Sequence, residues 1–187
     1  MLKTHGITEN TPKRVALGAG IVVKGLTFDT AWKYDAILGA TSGGNSLTIE
    51  NELKDLEIDG AWVKVEGMTV KTGETATLET NLAEVTKENL KMLVLGTDGE
   101  GVTGFDEIVS KDVIESGDYI ENLGFIGHTA TGDAIIVKFD KALCTSGLNF
   151  EGKNKDQTVL KATFECYASL DAENLKKLPY HIYTVQA

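Results

Sequence analysis

Proline, cysteine and histidine are scarce in this chain of 187 residues, which has two, two and three of them respectively. The cysteines, Cys144 and Cys166, form no CxxC pair, so no cysteine motif of zinc or redox proteins is present. The histidines His5, His128 and His181 are isolated, with no second histidine two to four residues away. A metal site needs converging ligands, and the sequence therefore predicts neither a metal site nor a cofactor.

Basic residues are also few: 18 Lys and Arg stand against 28 Asp and Glu, for a net charge of −10. Nucleic-acid binding draws most of its affinity from Lys and Arg that neutralise phosphates, so this balance argues against tight DNA or RNA binding. No apolar run approaches the roughly 18 residues of a membrane span, and residues 1–14 lack the apolar stretch of a signal peptide. We therefore expect a chain made in the cytosol, with no membrane partner. A cytosolic origin disfavours a disulfide between the two cysteines.

The residues that are abundant predict a mainly β protein. Apolar residues make up 42% of the chain, enough for the core of one domain, and 20 glycines separate segments that alternate with period two. We expect a polar N-terminal arm at 1–13 and a single β domain at 14–187. The predicted strands cover 14–23, 46–58, 61–70, 74–82, 107–114, 119–128, 134–140, 156–169 and 180–185.

Two turn signals divide the middle of the chain. Asp59-Gly60 is a strong hairpin signal because glycine tolerates the positive φ of tight turns, and Thr72-Gly73 marks a second boundary. The segments around them are therefore predicted to form a three-stranded meander. Near the C-terminus, residues 171–178 are interpreted as a short helical turn that precedes the last strand.

One segment has the period of a helix. Thr86 can cap KENLKMLVLG, in which Leu90, Leu93 and Val94 fall at helical spacing and Gly96 follows the end. A helix of about ten residues is marginal alone in water. Its apolar stripe is therefore expected to pack on a sheet face or barrel wall.

The segment GATSGGNS, residues 39–46, has the outline of a phosphate-binding loop. Asn45 stands where a P-loop needs its lysine, and the following residues alternate like a strand instead of forming a helix. We interpret the segment as a flexible loop that contacts a neighbouring subunit. The candidate contact residues are Gly39, Ala40, Thr41, Ser42, Gly43, Gly44, Asn45 and Ser46.

No pattern of catalytic residues emerges. Asp98, Glu100 and Asp106 surround a second glycine-rich loop (97–106), but Val102 occupies the fifth position of an EF-hand count and no helix enters the loop. Ser42 lies in TSGG instead of a GxSxG elbow. The sequence therefore predicts a protein that is not an enzyme.

Charged side chains recur along the predicted strands 46–58 and 61–70. Carboxylates two apart on a strand share a face, about 7 Å from each other, and are commonly exposed. We expect these residues to form a polar face, either outside the assembly or lining a channel. They are Glu50, Glu52, Glu57, Lys64 and Glu66.

Six segments of the chain stand in a characteristic order, especially an early LGATSGG followed by the turn LEIDG. The segments are VALGAGIVVKGLTFD, LGATSGGNSLTIENELKDLEIDGAWVKVEGM, ATLETNLAEVTKENL, DYIENLGFIGHTATGDAIIVKFDKAL, VLKATFECYAS and PYHIYTV. In this order of segments the chain, over about residues 14–185, resembles the major tail tube proteins of tailed bacteriophages that infect Gram-positive hosts.

The resemblance implies a β-sandwich or incomplete barrel flanked by one α-helix, which assembles into rings of six that stack into a tube. It also implies a location in the virion tail after assembly in the host cytoplasm. The implied partners are further copies of the chain, the tape measure protein, tail tip and terminator proteins, and DNA that passes through the lumen without specific binding.

Three alternatives remain open. The tubes of phage-tail-like bacteriocins and contractile injection systems share the fold that the resemblance implies. A monomeric β-barrel that binds a small ligand or carbohydrate should have Trp32, Trp62 and its tyrosines at one site. A hydrolase would need Ser42, a histidine and a carboxylate to converge.

Overall fold

The protein is mainly β, as its alternating segments predict. A computed structural model describes residues 6–152, 154–155, 157–171, 173 and 175–185. The strands in chain order are β1 (Ala16–Lys24), β2 (Thr27–Phe28), β3 (Trp32–Lys33), β4 (Ala36–Ile37), β5 (Thr41–Asp55), β6 (Thr69–Leu82), β7 (Thr97–Asp98), β8 (Ile108–Val109), β9 (Ile120–Thr129), β10 (Ala134–Cys144), β11 (Leu160–Cys166) and β12 (Tyr180–Thr184). The helices are α1 (Thr11–Arg14) and α2 (Lys87–Val94), with a 3-10 turn at Ser116–Asp118.

Eight of these strands form one antiparallel sheet in the order β4-β1-β9-β10-β11-β6-β5. The eighth, β12, pairs with the first half of β10, while β11 pairs with its last residues. The other four strands form two small ribbons, β2-β3 and β7-β8. Strand β10 is therefore the centre of the sheet.

The sheet curls without closing. Its last strand, β5, approaches β1, where the Asn45 side-chain amide donates to the Ala19 carbonyl over 2.6 Å. Among the described residues no strand pairing joins β5 to β1. The fold is thus an open, curled sheet with one flanking helix, which agrees with the predicted incomplete barrel.

The core fills the inside of this curl. Strand β11 contributes alternate residues, as its sequence predicts, and Cys144 on β10 is buried beside them. Both cysteines are free thiols, and burial raises the pKa of Cys166 to about 12. The most deeply buried side chains of the cluster include Phe139, Phe164, Leu82, Leu93, Leu123, Leu160 and Val22.

Helix α2 forms where its cap predicts it. The Thr86 hydroxyl accepts a hydrogen bond from the Asn89 amide over 3.2 Å, and the helix ends at Leu95, whose φ of 49° is left-handed. Leu93 is 1% exposed and Leu90 packs on the same core, whereas Val94 is 39% exposed. The predicted apolar stripe therefore covers the sheet through two of its three residues.

The predicted three-stranded meander is wrong. Residues 61–68 are not in a strand, residues 69–70 begin β6, and β5 and β6 pair directly over 15 and 14 residues. Asp59-Gly60 lies in a turn inside the connection, where Gly60 has a φ of +91°. Thr72-Gly73 lies within β6, close to an irregularity in its register with β5. The reason is that β5 and β6 satisfy the backbone hydrogen-bonding groups of each other along their whole length. The segment between them is left without a strand partner.

Several boundaries also differ from the prediction. Within 107–114 only Ile108–Val109 is a strand, and β11 is shorter than 156–169. The described residues of 171–178 form turns without a helix. The predicted arm contains α1, while its residues 1–5 lie outside the described residues. No helix in the described part of the chain has the length and apolar character needed to cross a membrane.

Candidate assembly surface

The glycine-rich segment 39–46 is not a loop. Thr41–Ser46 are the first residues of β5, and the register with β6 shifts between Thr41 and Asn45. Gly43 and Gly44 lie at this irregularity with φ of +85° and +87°, a region that glycine enters without steric cost. The glycines therefore shape a bulge within the strand. The described contact of Asn45 is within the chain, and a contact with another subunit stays a prediction.

Strand β5 has a free edge. It pairs with β6 from Thr41 to Asp55, and no described strand pairs with its other side. Leu47 and Ile49 pack on the core, whereas Glu50 and Glu52 are exposed on the opposite parity. The strand thus combines an anchored inner face, an acidic outer face and an unpaired backbone edge.

The other three residues of the predicted polar face lie in the connection between β5 and β6. We call residues 56–68 the hairpin tip. Glu57, Lys64 and Glu66 are exposed there, and the Lys64 ammonium lies 2.6 Å from Asp55 at the end of β5. Hydrogen bonds from Lys64 and then from the Thr69 hydroxyl hold the pKa of the Asp55 carboxyl below its usual value. The five residues therefore divide between a strand face and the tip.

A group of exposed apolar side chains lies at the hairpin tip, and sequence reasoning missed all of them except Trp62. Trp62 is 97% exposed and Val63 is 76% exposed. The alternation of AWVKVE predicts a strand with Val63 and Val65 on one face and Trp62 on the more exposed side. Trp62 is exposed as that pattern predicts, but Val63 and Val65 are exposed as well. Further exposed apolar residues at or beside the tip are Leu53, Leu56, Ile58, Val65 and Val70.

The base of the hairpin is fixed by a nearly buried carboxylate. Glu74 on β6 has a side chain that is 7% exposed and accepts hydrogen bonds from the Tyr180 hydroxyl over 2.8 Å and the Lys71 ammonium over 2.7 Å. The bond from Lys71, then that from Tyr180, lowers the pKa of Glu74 against the opposing effect of burial. This cluster ties β6 to the start of β12, so the outer hairpin extends from a fixed base.

Ion pairs hold the second glycine-rich segment against α2. The Lys87 ammonium lies 3.2 Å from Asp98 and 3.3 Å from Asp106, and Lys91 lies 2.8 Å from Asp98. Within residues 97–106, Thr97 and Asp98 form β7, which pairs with β8, and an isolated bridge joins Val102 to Phe105. An ammonium group occupies the space between the carboxylates, and the described residues contain no cluster of three or more metal-ligating side chains.

The residues considered for catalysis and ligand binding do not converge. Ser42 lies in β5, and no described hydrogen bond joins it to a histidine. His181 contacts Asp140 over 3.3 Å on β10, and His5 is outside the described residues. Trp32 packs against Tyr183 with ring centroids 4.8 Å apart, whereas Trp62 belongs to the hairpin tip. The two tryptophans therefore belong to separate surfaces.

Comparison with known proteins gives matches of structure alone. No protein-family model matches the chain, and no curated protein matches its sequence. A chain in the virion of a native gene transfer agent particle is 13% identical, with 82% of this chain and 95% of that chain covered and a TM-score of 0.41. A chain in the tail of an empty gene transfer agent particle with C6 symmetry is 11% identical, with 90% of this chain and 96% of that chain covered and a TM-score of 0.43. These values describe a distant likeness and do not establish a shared function.

Proposed function

We propose that this chain is a structural protein that polymerises, as stacked rings of six copies, into the tube of a phage tail. The observation that carries the proposal is the β5-β6 hairpin, which has a free strand edge and an apolar tip that the single chain leaves exposed. Free edges are templates for pairing with another chain, and exposed apolar patches mark interaction sites. Further copies of the same chain would cover both features.

The sequence resemblance supplies the kind of assembly. The segments that resemble tail tube proteins include both strands of this hairpin, its tip and the glycine bulge that begins β5. A ring in which sheets of neighbouring copies join would use the free edge of β5 directly. Self-pairing would then turn an aggregation hazard into a defined contact.

The acidic charge fits passage of DNA through such a tube. Glu50 and Glu52 lie on the outer parity of β5. Glu79 on β6 and Glu165 on β11 lie on neighbouring strands of the same sheet, and Glu79 forms an ion pair with Lys161. A wall with an excess of carboxylates repels phosphates and lets DNA slide without being held. We propose that this outer face lines the lumen, where it would also meet the tape measure protein before DNA passes.

The same features would serve the tube of a phage-tail-like bacteriocin or contractile injection system, which is the alternative reading of the assembly. A monomeric ligand-binding barrel is less well supported, because Trp32 and Trp62 do not share a site. In the proposed role the chain has no catalytic activity, is made in the host cytoplasm and ends in the virion tail. The two ends of the assembled tube would contact the tail tip and terminator proteins.

Electron microscopy of the purified, concentrated protein tests the proposal. Rings or tubes with an open channel are the expected result. Replacing Trp62 and Val63 by Glu should abolish them, whereas Leu170→Glu, at a side chain that is 99% exposed outside the hairpin, should leave them intact. A folded protein that stays monomeric at every concentration, even when supplied with tail tips, would contradict the proposal.

A further inference from the structure

A cleft beside the N-terminal helix α1 is a second candidate surface for contacts between copies. It encloses about 530 Å³ between α1, the β9-β10 turn and the end of β12, within the usual size of pockets that take compact ligands. Its apolar wall includes Ala134, Ile135 and Val185. Its polar lining includes Lys13 and Arg14 together with one carboxylate, Asp133, which accepts hydrogen bonds from the hydroxyls of Thr129 and Thr131. Both basic side chains are exposed and form no ion pair with any residue that the structure describes.

The hairpin tip has the opposite charge around an apolar centre. Glu57, Asp59 and Glu66 are exposed and carry no ion pair with another described residue, while the one basic residue of the tip, Lys64, is paired with Asp55. Trp62, almost fully exposed, belongs to the same tip. Aromatic side chains with a surrounding polar rim are typical centres of protein interfaces.

The register of the sheet places the tip and the cleft at the same end of the molecule. Cys166 on β11 pairs with Ala142, and its neighbour Glu165 pairs with Thr77. Because β10 and β6 are both antiparallel to β11, they run in the same direction. Counting back about eight residues from Ala142 on β10 and from Thr77 on β6 leads to their first residues, Ala134 and Thr69. Each step back is roughly 27 Å at the rise of a strand. The two surfaces can therefore meet between copies without a large shift along the strands.

We infer that the hairpin tip of one copy binds the cleft at α1 of the next copy, with Trp62 against the apolar wall and the tip carboxylates facing Lys13 and Arg14. The inference rests on the proposed assembly and names its mating surfaces. Because tip and cleft are different surfaces, the contact is heterologous, and repeated heterologous contacts generate rings when the rotation closes.

Cross-linking from the tip tests the pairing directly. The variant Trp62→p-benzoylphenylalanine carries a photo-reactive side chain at the tip. Illumination of its assembled particles should give links between copies to peptides containing residues 10–14 or 129–135. Links between copies that fall only elsewhere, such as in 97–114 or 145–152, would overturn the pairing while leaving the assembly itself in place. Absence of any assembly by the wild-type chain would overturn both proposals.

Charge reversal provides an independent test. The pair Lys13→Glu and Arg14→Glu should raise the protein concentration needed for assembly about tenfold, because like charges would then face each other across the interface. The pair Glu57→Lys and Asp59→Lys should do the same, and a chain carrying all four changes should recover most of the loss. Lys177→Glu, an exposed lysine outside the cleft, is the matched control and should have little effect. The pairing would be overturned if each pair of substitutions alone impairs assembly but the variant with all four substitutions assembles no better than either pair.

Discussion

The centre of the sheet and the outer half of the β5-β6 hairpin follow the same alternating pattern with different results. On β11 every second side chain is buried against the core, whereas the last six residues of β5 are all exposed. The centre is stabilised by contacts within one chain. The outer hairpin keeps its backbone pairing, but no residue that the structure describes buries its apolar side chains. Alternation alone therefore identifies a face and not what covers it.

Substitutions that remove one large apolar side chain from each region should separate them most strongly. Phe164→Ala, at a fully buried position, is expected to cost about 3–5 kcal/mol of the free energy of unfolding because it leaves a cavity. Trp62→Ala should change the unfolding free energy of the free chain by less than about 0.5 kcal/mol. Urea unfolding of unassembled protein measures both, and comparable losses would show that the tip is packed within the chain.

The cluster at the base of the hairpin should have an intermediate effect. Tyr180→Phe removes a hydrogen bond to the nearly buried carboxylate of Glu74 and is expected to cost about 1–2 kcal/mol. Glu74→Gln should lower stability at neutral pH as well. Thermal unfolding at pH 7 compares both variants with the parent chain.

The pH dependence of the same cluster has a defined sign. The pKa of Glu74 in the folded chain is below its ordinary value of 4.5, so the stabilisation by its charged form is complete well above that pH. It is lost as the pH falls through the lowered pKa of the folded state. As the pH falls below 4.5, the loss of stability should be smaller in Glu74→Gln than in the parent, and identical slopes would contradict the assignment.

The helix cap should contribute less than the core. Thr86→Ala leaves the Asn89 amide without its acceptor and is expected to cost about 1 kcal/mol. Thr86→Ser keeps the oxygen and should retain most of the stability. Circular dichroism during urea unfolding distinguishes the two variants.

The ion pairs of α2 should have the smallest effect. Lys87→Met removes two exposed contacts, to Asp98 and Asp106, and should destabilise the chain less than Thr86→Ala. The difference from the parent should disappear at about 1 M salt, where exposed charges are screened. A difference that persists at high salt would indicate that Lys87 contributes through packing instead of charge.

Local signals in the sequence predicted much of the fold. The strands β1, β9, β10 and β12, the buried parity of β6 and β11, and helix α2 all follow from alternation or capping within a few residues. These predictions succeed because each such segment has a neighbour that its pattern fits. The open, curled sheet and its flanking helix agree with the fold that the resemblance implies.

The failures arise where distant contacts decide. The Asn45 amide bonds Ala19, 26 residues away, and this contact and the pairing with β6 turn a glycine-rich segment into a strand. Residues 61–68 alternate like a strand, yet their possible partners β5 and β6 are already paired with each other. For the candidate site, the sequence identified the exposed charges but not the apolar tip between them, because the absence of a covering element has no local signature.

Hydrogen exchange of free and assembled protein, followed by mass spectrometry, tests most directly whether other copies complete the hairpin. Exchange is compared at a concentration where the chain is monomeric and in the isolated assembly. Amides of β5 and of residues 56–69 should become strongly protected on assembly, while those of β10 and β11 should change little. Unchanged exchange throughout the hairpin, with protection gained only elsewhere, would contradict the account.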